Sequence, residues 1–371
     1  MVRQIFWCGV AIAICWALDR LLQAAVYGQW FGWLTDYTYR AFILVPLLFI
    51  TLAVSLNLIN GITGQFSLGH AGFFAVGAYL SAGFSVYFAS GWLAQVPPAW
   101  QGVAQFGLLL MAALIGAGAA ALFGLIVGIP TLRLRGDYLA IATLGFGEIV
   151  RVLFENLDLF GAQRGFTGIP TWVGFGFFWY ALLAMGCIAV SRNLLKSTHG
   201  LAFLSVREDE TAAEVMGVPT TYYKVAAFVI GAMFAGAAGA LLAHREGSIY
   251  PVDFKLDISI VVVTMVVLGG QGSITGSVLA GAGLKMLEEL LRLLPVVTLF
   301  GREFQPSDFR MLAFALVLIL MMIFRPQGLL GHRELSWATL RRWLSRSPKR
   351  ASVPPAETPS LSSEGEQMRQ P

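Results

Sequence analysis

Charge is what this chain has least of. Lys, Arg, Asp and Glu together make up 12% of its 371 residues, about half the share found in ordinary globular domains. A soluble fold of this length is excluded on that ground. Cysteine is scarce as well: Cys8, Cys15 and Cys187 all fall inside apolar runs, with no disulfide framework and no metal-type spacing. The four histidines have neither the neighbours nor the spacing for zinc. No nucleophile with a nearby base is visible, which argues against a membrane enzyme. A G-x-x-x-x-G-K-[ST] phosphate cradle is missing too, so any ATP-driven cycle needs another polypeptide. The net charge of +4 is local rather than spread, with seven of the 25 Lys and Arg between Arg325 and Arg350. Such a cluster suits an anionic lipid leaflet and not a nucleic-acid surface.

Against these absences stand 57% hydrophobic residues, a mean hydropathy of +0.71 and 41 glycines. The chain belongs in a bilayer, where small residues let helix backbones approach closely. Met1-Val2-Arg3 precedes an apolar run from Ile5 to Leu18 that has the outline of a signal peptide but no clear small-residue cleavage site before Asp19. It reads as a retained first span. Further spans are expected at 41–60, 66–90, 106–129, 137–157, 172–191, 225–243 and 309–325, each near the roughly 20 residues a bilayer requires. The stretch 258–294 is too long for one upright helix and is interrupted at Gly269-Gly270-Gln271-Gly272-Ser273. It reads as two short crossings or one crossing with a re-entrant segment.

Lys and Arg place the loops. Loop 192–224 carries Arg192, Lys196, Arg207 and Lys224, the short loop after the fourth span carries Arg133 and Arg135, and loop 91–105 has neither Lys nor Arg. With basic loops inside, the count is about ten spans (eight to ten), all helical, with both termini cytosolic. The membrane domain covers 1–331. Over 332–350, Leu335, Trp337, Leu340, Trp343 and Leu344 interleave with Arg341, Arg342 and Arg346, the pattern of an amphipathic helix on the membrane surface. The Pro/Ser/Glu-rich tail 351–371 is expected to be disordered.

Three stretches stand out. In Leu56 to Gly72, four glycines and six polar side chains (Asn57, Asn60, Thr63, Gln65, Ser67, His70) interrupt an apolar run. Backbone freed from helix bonding at membrane depth has to be met by protein or line a wet cavity. The second break, Gly269 to Ser277, echoes the first through Gly-Gln-x-Ser, 64–67 against 270–273. Paired Gly-interrupted segments point to a transporter's substrate region, which makes Gln65, Ser67, His70, Gln271, Ser273 and Thr275 the candidate path residues. Tight helix packing with satisfied caps is the alternative account of both breaks. Third, Glu148, Arg151 and Glu155 stand three and four residues apart on the fifth span and share one helix face, with Asp137 at its start. They form either a structural ion-pair network or a proton relay. Lys285, Glu288, Glu289 and Arg292 offer similar pairs.

Loop 192–224 is a polar island between apolar segments. Ser205 with Glu208 fits a capping box, Glu208, Asp209 and Glu210 suit a first turn, and Gly217 followed by Pro219 suits a stop. A short helix from about Val206 to Met216 is therefore expected. Its Ala212, Ala213 and Gly217 allow a second surface to approach closely. That spacing resembles the EAA-type coupling loop of ABC importer permeases, in which a helix sits in a groove of the ATPase subunit, although Thr211 stands where the pattern usually has glutamate. Arg207, Glu208, Glu210, Ala212, Ala213 and Gly217 become the candidate coupling residues.

Taken together, Asn57 to Tyr79, Arg135 to Arg151, Ser205 to Val218, Leu268 to Gly276 and Arg325 to Gly331 resemble the LivM-type permease subunit of branched-chain amino-acid ABC transporters. Departures are Leu201, where that family commonly has Arg, and Gly161-Ala162-Gln163, which is less glycine-rich than usual. The resemblance implies an all-α ABC importer permease in a bacterial inner membrane, without cofactor of its own. It implies as partners a paralogous second permease, two ATPase subunits that bind ATP and Mg, and an extracytoplasmic amino-acid binding protein. Branched-chain or other mainly apolar amino acids are the expected cargo, with urea or short amides as the near alternative. An ion-coupled secondary transporter using Glu148, Arg151 and Glu155 is the alternative from another class.

Overall fold

The computed structural model describes most of residues 2–331, apart from 28–34, 94, 133, 135, 172–175, 294–296 and scattered positions from 300 to 326. The basic segment 332–350, the tail 351–371 and Arg133 and Arg135 lie outside the described residues, as does much of the span expected at 309–325.

Helices dominate. The order is α1 (Val2–Tyr27), α2 (Asp36–Ile62), α3 (His70–Leu93), α4 (Pro98–Thr131), α5 (Asp137–Asn156), α6 (Gly176–Lys196), α7 (Thr198–Glu208), α8 (Glu210–Val215), α9 (Thr220–Glu246), α10 (Leu256–Gly269) and α11 (Ile274–Leu293). Two small antiparallel ribbons, β1 (Phe166–Thr167) with β2 (Ser248–Ile249) and β3 (Val297–Leu299) with β4 (Arg302–Phe304), sit in connections. Among the described residues, α2, α3, α4, α6 and α9 are long and apolar enough to cross a membrane. The polytopic all-α reading holds, and the first break ends at His70, so α3 starts four residues later than expected. Stretch 258–294 is two helices; α10, at 14 residues, spans only about 21 Å at 1.5 Å per residue, short of the roughly 30 Å hydrocarbon core.

Helix α9 is the hub, packing on α2, α3, α4 and α6. Its buried face is almost entirely Gly and Ala, from Gly231 and Ala232 through Ala243. Lipid gives apolar side chains little reason to leave it, so association rests on close van der Waals contact, and backbones must touch. They do so at one crossing of α3, α4 and α9. A Cβ on Gly77 would fall 2.1 Å from the Gly236 carbonyl oxygen, and one on Gly236 would fall 2.3 Å from the Ala120 Cβ and 2.5 Å from the Gly116 carbonyl oxygen. Gly239 lies equally close to Phe74. Larger side chains fill the layer beside the crossing, where Tyr79 stacks on Phe154 with centroids 4.2 Å apart and meets Phe160 and Phe254.

The outer helices are tied in by polar links. Asp19 of α1 is fully buried, and its Oδ1 accepts from the Phe177 and Phe178 N–H groups at 3.0 and 3.4 Å. This caps α6, whose first-turn donors have no partner within the helix. On α11, Lys285 pairs with Glu288 at 2.6 Å and lies over the Phe49 ring, while Glu289 accepts from the Tyr37 hydroxyl. Buried polar pairs also join helices inside the bundle: Ser55 with His70 Nε2 at 2.9 Å, and Ser85 with His244 Nε2 at 2.6 Å.

The crossing can be tested against a glycine of α4 that lies outside it. Gly236→Ala forces backbone apart and is expected to cost about 1–3 kcal/mol, lowering the thermal midpoint of the detergent-solubilised protein. Gly118 has nothing within 4 Å of an added Cβ, so Gly118→Ala should stay within about 0.5 kcal/mol of the parent.

Candidate functional site

The first break starts where α2 widens into a π-helical turn over Leu58–Ile62. Its Ile59 carbonyl then accepts from both Gln65 N–H at 3.1 Å and Thr63 Oγ1 at 2.7 Å. Gly64 takes φ +69°, a left-handed conformation that favours glycine. From there to His70 the chain is irregular, and side chains supply its partners. Asn60 Oδ1 accepts from Ser67 N–H at 3.2 Å, and its Nδ2 donates to the Ser67 carbonyl at 3.4 Å. Leu68 N–H donates to Thr143 Oγ1 of α5, and Ala71 N–H donates to Ser259 Oγ of α10. A first-turn donor of α3 is thus met by a hydroxyl from α10, and the segment leading into it by one from α5.

The second break is tighter. Gly270 and Gly272 have φ +108° and +89°. Ser273 N–H closes the turn on the Gly270 carbonyl, and Ser273 Oγ accepts from Gly276 N–H at 3.1 Å, capping α11. The exit segment covers this turn: Leu329 N–H donates to the Leu268 carbonyl at 2.8 Å, and the Gly270 backbone lies against Gln327, Gly328 and Gly331.

The two breaks are in contact. Asn57, just before the π-helical turn of α2, donates from Nδ2 to the Ser273 carbonyl at 3.1 Å and accepts at Oδ1 from Gly272 N–H at 2.9 Å. A Cβ on Gly61 would fall 2.2 Å from the Gly272 nitrogen. Asn57 is fully buried and was not among the residues singled out as candidates. Its signal was an amide in an apolar helix next to a break, which has to find a partner.

Next to this junction is a cavity of about 320 Å³ lined by Asn60, Gly61, Gly64, Phe66, Arg207, Glu208 and Gln271. Of the candidate path residues, Gln271 lines it. Ser67 and Ser273 are fully buried and hold turns; Thr275 contacts Ser273 Oγ; His70 bonds Ser55. Gln65 is buried, and among the described residues neither end of its side-chain amide has a partner.

The loop helix differs from expectation at its start. α7 runs straight through Ser205, whose Oγ bonds back to the Ala202 carbonyl, because the apolar run before it is already helical, with Phe203 and Val206 buried. The cap is Asp209, whose Oδ1 accepts from Thr211 and Ala212 N–H at 2.9 and 3.0 Å. Helix α8 therefore begins at Glu210, not at about Val206. Its end is as expected: Gly217 has φ +84° and donates to the Glu214 carbonyl, and Val218 N–H donates to the Ala213 carbonyl, the Schellman pattern. Glu210 pairs with the buried Lys224 at 2.5 Å, and Glu214 accepts from Thr220 Oγ1 at 2.7 Å, fastening α8 to α9. Ala213 turns inward; Ala212 faces out beside Val215 and Met216, each 82% exposed.

Arg207, partly buried, reaches the cavity, and Glu208, exposed, stands on its rim. On α5, Arg151 binds Glu148 at 2.7 Å and Glu155 at 2.6 Å, so that trio closes on itself. Among the described residues there is no group of acidic, His and Cys side chains able to hold a metal.

Asn57→Ala removes two hydrogen bonds between the breaks and leaves Gly272 N–H and the Ser273 carbonyl without that partner. Each orphaned group costs about 1–3 kcal/mol. A fall in both thermal midpoint and transport is expected, whereas Asn156→Ala, whose amide bonds only its own helix at the surface, should change neither.

Comparison with known proteins gives the family. Residues 38–324 match the family model described as branched-chain amino acid transport system / permease component. The chain is 35% identical over 319 residues to the high-affinity branched-chain amino acid transport system permease protein LivM of Salmonella typhimurium, covering 77% of this chain and 68% of that one. LivM of Escherichia coli K12 is similar to the same extent. LivH of Salmonella typhimurium is 24% identical over 298 residues, 76% of this chain and 91% of its own length. This chain is a multi-pass membrane transport component, not an enzyme, and it belongs to the branched-chain amino acid transport permease family.

Proposed function

We propose that the chain is one permease subunit of an ATP-driven importer for branched-chain or other mainly apolar amino acids. The observation that carries this reading is the pairing, in one chain, of two touching helix breaks with an outward-facing loop helix. The breaks supply a place where helix packing can part within the membrane. The loop helix supplies a surface for a motor this chain lacks, because Ala212, Val215 and Met216 present an apolar tip on a helix bonded to α9 through Glu210 and Glu214. A force applied to α8 is thereby passed to the hub of the bundle.

The partners are a second, related permease, two ATPase subunits carrying ATP and Mg, and an extracytoplasmic amino-acid binding protein. Likeness to both LivM and LivH supports a pair of related permeases enclosing one path. With basic loop 192–224 and both termini in the cytosol of a bacterial inner membrane, α8 faces the ATPases, and alternating access follows as their closure rocks the permease pair. The secondary-transporter reading needs Glu148, Arg151 and Glu155 at the path. They instead bind one another on α5, and the breaks contain no acidic residue.

Labelled leucine uptake into vesicles tests this directly. The chain assembled with its partners should take up leucine only with ATP, and the chain alone under a proton or sodium gradient should take up none; gradient-driven uptake by the chain alone overturns the reading. Within the assembly, Met216→Asp places a charge in the apolar docking tip and should lower ATPase co-purification about tenfold or more, the scale of a lost interface anchor. Gly217→Arg, forced into a left-handed backbone conformation, should uncouple hydrolysis from uptake while leaving membrane insertion intact.

A further inference from the structure

Arg207 stands on the loop expected to touch the ATPases, yet its side chain runs the other way. It leaves α7 two residues before Asp209, the extended residue (φ −156°) that separates α7 from α8. Its Nη1 donates to the Gly61 carbonyl in the first break at 3.3 Å. The same nitrogen lies 2.9 Å from where a Cβ on Gly272 of the second break would be, and its Cγ lies 2.9 Å from where one on Gly64 would be. Glu208 Oε1 accepts from Arg207 Nε and Nη2 at 3.1 and 2.5 Å and so sets the plane of the guanidinium. One planar cation therefore touches both breaks from the wall of the 320 Å³ cavity between them.

We infer that Arg207 is a latch: a positioning residue that pins the two breaks together at the cytosolic end of the path and is withdrawn when α8 moves. This rests on the importer reading and gives that reading a specific link between motor and gate. The chemistry suits the role. The Gly61 carbonyl lies in the π-helical turn that ends α2, where carbonyls lose their helical partners. A charge-assisted bond to guanidinium is stronger than one between neutral groups. Held by a single such bond and by contact with glycine, the guanidinium can leave without unfolding either break, since Asn57 still joins them on the protein side. Glycine at 64 and 272 is then required twice over, for positive φ and for the space the side chain occupies. The lever is short, because Arg207, Asp209 and α8 are contiguous and α8 is fastened to α9 by Lys224.

The test uses the full transporter with its partners in inside-out vesicles loaded with the binding protein and labelled leucine, so that transport is read as ATP-dependent release. Gln271→Cys places a thiol in the cavity wall, to be labelled from the cytosolic face by a membrane-impermeant maleimide, with the parent cysteines as background. With Arg207 present, labelling should be slow and rise with ATP turnover. With Arg207→Gln it should be about tenfold faster without nucleotide, and leucine transported per ATP hydrolysed should fall about tenfold, the scale of one lost charge-assisted hydrogen bond. Arg207→Lys keeps the charge without the planar fork and should fall between the two. Gly64→Ala, whose Cβ displaces the Arg207 stem, should behave like Arg207→Gln, and it serves as the second variant if the glutamine substitution does not assemble. Parent-like labelling and parent-like transport per ATP in Arg207→Gln and Gly64→Ala overturn the latch while leaving the importer reading intact. Absence of ATP-dependent release of lumenal leucine by the parent assembly overturns the importer reading first, and the latch with it.

Discussion

A peptide group released from a helix inside a bilayer has no water to turn to, and this chain releases several at two places. Everything at the centre of the molecule follows from meeting that demand. Asn60 folds the first break onto itself, Thr143 of α5 holds its last residues, Ser259 of α10 caps α3, and Ser273 caps α11. Asn57, standing in the first break, ties it to the second by donating from Nδ2 to the Ser273 carbonyl and accepting at Oδ1 from the Gly272 N–H. With both ends of that amide committed, the breaks are held in register across 216 residues of sequence. Helix packing around them must be close enough to keep lipid out, which explains why the adjoining faces are glycine and alanine. The crossing of α3, α4 and α9 at Gly77, Gly116 and Gly236 brings the backbones together, and no larger side chain could occupy it without separating the elements that cap the breaks.

Much of this was legible in the sequence, and the parts that were not share a cause. The long helices were readable because a run of about 20 apolar residues has one economical structure in a bilayer. Both breaks were readable because Gly, Asn, Gln and Ser inside such a run contradict it. The end of α8 was readable from Gly217 and Pro219, whose backbone preferences are local. Its start was misplaced because two good caps, Ser205 and Asp209, compete within five residues. The choice was made by tertiary burial of Phe203 and Val206, which keeps the helix going through Ser205. Contact between the breaks, the covering of Gly270 by 327–331, and the inward turn of Arg207 depend on registers between distant segments, which no local pattern encodes. Even so, a buried Asn at a helix end and an Arg beside a docking helix were each visible as polar groups that had to find partners.

Expectation and structure also differ in how the candidate residues divide their work. Ala212 and Ala213 looked like a matched pair on one docking face, but adjacent residues on a helix point about 100° apart. Here Ala213 is spent on packing, and the outward surface is completed by Val215 and Met216. Ser67 and Ser273 looked like path-lining hydroxyls and instead close turns. Cavity walls next to the breaks are built from backbone, from Phe66 and from the polar ends of Asn60, Gln271, Arg207 and Glu208.

That division separates holding from moving. The bonds made by Asn57, Asn60 and Ser273 join neutral groups deep in the protein, where an unmet partner is costly, so they form a frame that should persist through any transport cycle. Arg207 differs from them in three respects: it is charged, it is only partly buried, and it is attached to α8, which presents Ala212 outward beside Val215 and Met216. Charged groups at a water-filled cavity can exchange a protein partner for solvent at little cost, which neutral groups sealed in the bundle cannot. A motion originating at α8 will therefore be felt first at Arg207, and the frame behind it can stay whole while the cavity it guards changes shape.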